Sequence, residues 1–146
     1  MKRIFLILLV VALISQGAGC SAAADTAVTK LRKVDYVTAY YFHGDFRCSN
    51  CYKIETYSKE AIDKYFAKEL ASGELEYKAI NVDERGNEHF AKDYKLYTKS
   101  LVISRVKGGE EVAYKNLEKV WNYLGNKEAF YNYVKEEVAR FLEADK

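Results

Sequence analysis

Residues 34–42, Val-Asp-Tyr-Val-Thr-Ala-Tyr-Tyr-Phe, are dense in β-branched and aromatic side chains and predict a strand, broken by Gly44-Asp45. Past the two cysteines at 48 and 51 the rhythm changes. Ile54, Ala61, Ile62, Tyr65, Phe66 and Leu70 recur at three- and four-residue intervals through a charged background. That is the pattern of an amphipathic helix, and Ser72-Gly73 ends it. Residues 75–82 predict a second strand, followed by a polar stretch and a short helix over 88–94. Residues 101–106 form a third, and Lys107-Gly108-Gly109-Glu110 is a hairpin turn into a fourth over 111–114. Leu117, Val120, Trp121 and Leu124 share one helical face. Beyond Gly125-Asn126, Ala129, Phe130, Tyr133, Val134, Val138, Phe141 and Leu142 continue as a terminal helix. The order β, α, β, α, β, β, α predicts an α/β sandwich with a parallel pair across the first crossover.

The first nineteen residues stand apart from this pattern. Lys2 and Arg3 precede an unbroken apolar run of eleven residues, 4–14, with no charge at helical spacing. The run is too short to span a bilayer as a mature helix and fits a secretory signal. Gly17-Ala18-Gly19-Cys20 resembles the bacterial lipobox, in which a peptidase cuts before a cysteine that receives a diacylglycerol, although Leu is usual where Gly17 stands. Ala22-Ala23-Ala24 offers a competing cut. The organisation expected is a lipoprotein-type signal peptide over 1–19, a tether over 20–33 and a folded domain over 34–146. The chain is expected to be exported, to the periplasm or cell surface, and held on a membrane by lipidated Cys20.

The 146 residues supply one modest core, and 30% charged residues is ordinary for a globular domain. Without Lys2 and Arg3 the 23 basic residues fall to 21, against 21 acidic ones. A near-neutral chain whose lysines alternate with glutamates excludes a nucleic-acid surface. The 13 tyrosines, at strand and helix spacing, read as core rather than as a base-stacking platform.

Cys48 and Cys51 then carry the chemistry. As a staple the pair is poor, because stabilisation grows with the loop closed and this loop is four residues. A closed metal site needs about four ligands, and only Cys48, Cys51, His43 and His89 are at hand. Redox exchange fits the position better. The pair sits where a strand ends and a helix begins, so Cys48 falls near the helix N-terminus, where the partial positive charge favours a thiolate. Arg47 adds a full charge directly before it. Cys51, one turn inside, reads as the resolving thiol.

With those residues placed, 34–142 resembles the thioredoxin superfamily. The resemblance is carried by the strand 37–42, Arg47-Cys48-Ser49-Asn50-Cys51, Ala79-Ile80-Asn81-Val82-Asp83, Tyr94, the strand 101–104 and the Gly-Gly hairpin. More narrowly, "YYFHGDFRCSNC" and "KSLVIS…NLEKVW" are similar to an exported thioredoxin-like family labelled as a nitrophenyl-compound nitroreductase subunit; nothing in the chain resembles a flavin site. The resemblance implies a thioredoxin-like fold, a central mixed sheet of about four strands flanked by helices. It implies no cofactor and a partner protein that offers a thiol or disulfide outside the cytoplasm.

The chain departs from the family in containing no proline, where thioredoxins place a cis-proline facing the disulfide. Ser100 is expected at that position, with Lys99 or Thr98 if the loop slips. A trans peptide is expected there, since a non-proline cis bond costs about 3 kcal/mol. The family's buried acid on the first strand is also missing. His43 and Asp45 are the nearest titratable groups that could tune the thiols, and Asp45 could equally pair with Arg47 in solvent. The runner-up reading is a metal- or metalloid-binding module that uses Cys48, Cys51 and His43 without turnover. A weaker one is a docking subunit that presents Tyr40-Tyr41-Phe42 and Trp121 to a partner. Cys20→Ala is expected to release the protein from membranes on fractionation; unchanged membrane association would reject the lipid anchor.

Overall fold

Alternation along β1 (Tyr36–His43) sends Val37, Ala39 and Tyr41 to one side of a sheet and Tyr40 and Phe42 to the other. Both sides are covered, so β1 is the hydrophobic centre of the molecule. The structure, a computed structural model, describes residues 35–144. The expected signal peptide, tether and lipidated Cys20 lie outside the described residues, as do Val34 and residues 145–146.

β2 (Leu75–Asn81) runs parallel to β1, from Val37 opposite Leu75 to His43 opposite Asn81. β3 (Ser100–Lys107) lies antiparallel on the other side of β1, with Phe42 opposite Ser100. β4 (Glu110–Asn116) pairs antiparallel with β3, so the sheet order is β2-β1-β3-β4. Gly108 and Gly109 make the hairpin with φ of 62° and 88°, a left-handed pair that side chains disfavour. This is the mixed four-stranded sheet that the resemblance implied, in the α/β arrangement that the element order predicted.

α1 (Ser49–Tyr65) and α4 (Lys127–Glu143) pack on each other over one face, burying Ile54, Ile62, Phe130 and Val134 against Ala39, Tyr41, Leu101 and Ile103. Asn126 caps α4 by accepting from the Ala129 N–H at 3.0 Å. The opposite face is covered by α3 (His89–Asp93), whose Phe90 and the following Tyr94 pack on Tyr40, Phe42 and Val102.

Several boundaries differ from the sequence expectation. The first long helix is broken at Phe66 (φ −128°), which turns its ring into the core. α2 (Ala67–Ser72) then runs on with no buried residue until left-handed Gly73. The segment after β4 is a 3₁₀ helix (Glu118–Tyr123) rather than an α-helix. A three-residue repeat is what lines up Leu117 and Val120, both wholly buried. β4 also extends two residues further than expected, to Asn116.

Phe130 is wholly buried between α1 and the sheet, edge-on to Tyr57. Phe130→Ala is expected to lower unfolding stability by about 3–5 kcal/mol, read as a shift of the urea midpoint. A shift below about 1 kcal/mol would contradict this packing.

Candidate functional site

The turn that carries the chain from β1 to α1 is clamped by the end of β2. Asp83 Oδ2 accepts from the Asp45 N–H at 2.8 Å, and Asn81 Nδ2 donates to Asp45 Oδ1 at 2.7 Å. A side chain on Gly44 would meet Asp83 Oδ2 at 2.4 Å, so glycine is required for this close approach. The Val82 N–H still reaches the His43 carbonyl, continuing the ladder past the last residue of β2.

The clamp delivers Cys48 to the head of α1. Its backbone is extended (φ −89°, ψ 169°), and Sγ accepts from the Cys51 N–H at 3.3 Å. In return the Cys48 N–H donates to Cys51 Sγ at 3.1 Å, so the two cysteines form a reciprocal capping box. They are joined in a disulfide with Cα atoms 5.1 Å apart. Cys48 is exposed and Cys51 is 2% exposed. No acidic residue lies in the first turn, which leaves the helix-end dipole unopposed there.

Beneath this turn, the Tyr41 hydroxyl donates to the Cys51 carbonyl at 2.6 Å in a buried bond. Burial raises the Tyr41 pKa above that of a free phenol, against the opposing pull of Arg47. Arg47 lies with its guanidinium carbon 4.2 Å from the Tyr52 ring centre and 5.7 Å from that of Tyr41, and it is paired with Glu55. Burial disfavours its charge, but the Glu55 carboxylate more than compensates and the guanidinium pKa stands above the ordinary value. The Tyr77 hydroxyl, on β2, donates to the Glu55 carbonyl at 3.3 Å. Its own pKa is raised strongly, chiefly by burial and then by Glu55.

The remaining expected site residues are placed as follows. Arg47 pairs with Glu55, not with Asp45, because Asp45 is held by Asn81 and by the Asp83 clamp. His43 Nδ1 donates to the Gly44 carbonyl at 3.0 Å. Among the described residues no three His, Cys, Asp or Glu side chains converge as a metal site would need, so His43 is not brought to the sulfurs as a third ligand. His89 sits on the surface of α3, paired with Asp93 at 2.8 Å.

Ser100 is 3% exposed and opens β3, its Oγ donating to the Thr98 carbonyl at 2.9 Å. No cis peptide bond occurs among the described residues. The Lys99 carbonyl accepts from Trp121 Nε1 at 3.1 Å. Thr98, Ser100 and Trp121 line an open cavity of about 220 Å³ with Tyr97, which is 96% exposed. The proposed docking aromatics are corrected: Tyr41 and Phe42 are core residues, 0% and 1% exposed, and cannot face a partner.

Glu55 and Asp83 are not singled out from the sequence as site residues, and Tyr41 is read there only as a docking aromatic. Glu55 stands four residues past Cys51, one turn along the same helix face, and that spacing was the available signal. Tyr41 was readable only by its alternation with Val37 and Ala39 toward the helix side.

No protein-family model matches the chain, and no curated protein matches it either. Among solved structures it is similar to oxidised thioredoxin O2 from Arabidopsis thaliana, at 19% identity and a TM-score of 0.40, covering 71% of this chain and 83% of that one. It is also similar to the reduced Schistosoma mansoni thioredoxin pre-protein, at 22% identity and a TM-score of 0.39, covering 64% and 80%. Fasciola hepatica thioredoxin follows at 23% identity and a TM-score of 0.37, covering 63% and 81%. The strand order and the cysteine pair opening α1 are what make the fold thioredoxin-like.

Tyr41→Phe removes one buried hydrogen bond with almost no change of shape. The expected loss is about 1 kcal/mol of unfolding stability in urea titration of the oxidised chain. No loss at all would mean that the bond does not hold α1 to the sheet.

Proposed function

We propose that the chain is an extracytoplasmic thiol–disulfide oxidoreductase or electron carrier acting through Cys48 and Cys51, tethered to a membrane by lipidated Cys20. One observation carries the chemistry: an exposed cysteine caps a helix and is bonded to a buried cysteine one turn inside. Exposure gives Cys48 access to a partner. The helix end, where the Cys51 N–H already points at its sulfur, favours the thiolate after reduction. The location rests on the leader pattern alone.

In the reducing direction the Cys48 thiolate attacks one sulfur of a partner disulfide. A Cys48–partner bond forms, the partner's own bond breaks, and its second sulfur leaves as a thiolate that takes up a proton. Cys51, giving up its proton, then attacks Cys48 Sγ. The Cys48–Cys51 bond closes and the other partner sulfur departs, so two electrons pass to the partner. The reverse sequence oxidises a partner dithiol, and the relative potentials of the two couples set the direction.

Equilibration against glutathione redox buffers, with alkylation of Cys48 as readout, is expected to give one two-electron midpoint. Cys48→Ser is expected to abolish exchange, and Cys51→Ser to accumulate mixed disulfides with partner proteins. Failure to titrate, with zinc or copper held at fixed stoichiometry by the reduced chain, would replace exchange with the binding-module reading.

A further inference from the structure

Arg47 stands directly before Cys48, and a free guanidinium there would push the thiol strongly toward its ionised form. The guanidinium is not free. Its side chain is 15% exposed, it stacks on Tyr52, and a terminal nitrogen donates to Glu55 Oε2. Its Nε is buried without a hydrogen-bond partner, so its compensation comes from its outer end. We infer that Glu55 is a positioning residue that restrains the acidity of Cys48 by holding Arg47 in a neutralised, stacked pair, an inference that rests on the thiol–disulfide reading above.

The geometry makes Glu55 suited to this. It lies four residues past Cys51 on α1, and helical side chains lean toward the N-terminus, where the cysteines are. The titratable groups packed around the guanidinium are Glu55 and Tyr52 from α1 and Tyr41 from β1; Tyr77 from β2 contacts Glu55. Tyr41 and Tyr77 are buried phenols with raised pKa values and are neutral at physiological pH. Glu55 is therefore the anion that pairs with Arg47. Held in this pair and stacked on Tyr52, the guanidinium is not available to the Cys48 thiolate, which is left with the helix end.

The test is the pH dependence of Cys48 alkylation in the fully reduced chain, read by fragment-ion mass spectrometry that assigns the label to Cys48 rather than to Cys51. Glu55→Gln is expected to lower the midpoint by about half a pH unit or more, about a threefold gain in thiolate below the midpoint. Glu55→Asp, which keeps the charge, is expected to return the midpoint toward the wild-type value. In an Arg47→Gln background the Glu55→Gln shift is expected to fall to a small fraction of its size. No shift, an upward shift, or an equal shift without Arg47 overturns the inference. Arg47→Gln alone supplies a check that does not need Glu55→Gln to fold. Removing a guanidinium already engaged by Glu55 is expected to raise the midpoint by less than about half a unit, and a larger rise overturns the inference. The alkylation readout needs no partner, so an absent glutathione midpoint with the expected shifts would reject the exchange function and leave the Arg47–Glu55 assignment standing.

Discussion

A buried hydrogen bond, from the Tyr41 hydroxyl to the Cys51 carbonyl at 2.6 Å, ties the middle strand to the head of the first helix. The asymmetry of the cysteine pair follows from where it holds that turn. With the Cys51 carbonyl pinned over the sheet, its side chain is directed inward and becomes 2% exposed. Cys48, three residues earlier and outside the regular helix, is left at the surface. An attacking sulfur and a resolving sulfur need that difference in access more than any difference in residue type.

The disulfide itself closes too short a loop to hold this geometry. Non-covalent contacts do so from both sides. Asn81 and Asp83 grip the turn at Asp45, and Gly44 is small enough to let Asp83 approach. Behind the helix, Arg47 is sandwiched between aromatic rings and paired with a carboxylate. These contacts shape the turn without using the sulfur–sulfur bond.

The loop that enters β3 is likewise held by non-covalent contacts. Ser100 takes a buried place at the start of β3, bonded to the Thr98 carbonyl, with Asn116 Nδ2 donating to its Oγ at 3.4 Å. Trp121 fixes the Lys99 carbonyl from the 3₁₀ helix. The segment is held by hydrogen bonds from two other elements, β4 and the 3₁₀ helix. Lys99 and Ser100 are thus part of the loop's framework.

Element type and order were legible along the chain because they depend on local periodicity: two for the strands, about 3.6 for the helices, and the Gly-Gly and Ser-Gly stops. The same local logic placed Cys48 at a helix head, since a strand, a glycine turn and an amphipathic run follow one another in sequence. It did not reveal the break at Phe66, where burial of one ring overrides helix continuity, or the 3₁₀ winding that aligns Leu117 with Val120. It also left partners open. Pairing with Arg47 was one of two roles open to Asp45, two residues away; the carboxylate of Arg47 is Glu55, eight residues on, and Asp45 is held by Asn81 and Asp83 at the end of β2. The chain alone determined which residues could do redox chemistry and where a helix would present them. Which charges face each other, and whether a guanidinium is free or neutralised, was decided by the docking of α1 on β1 and β2, because Coulomb and hydrogen-bond partners are set by distance in space rather than along the backbone.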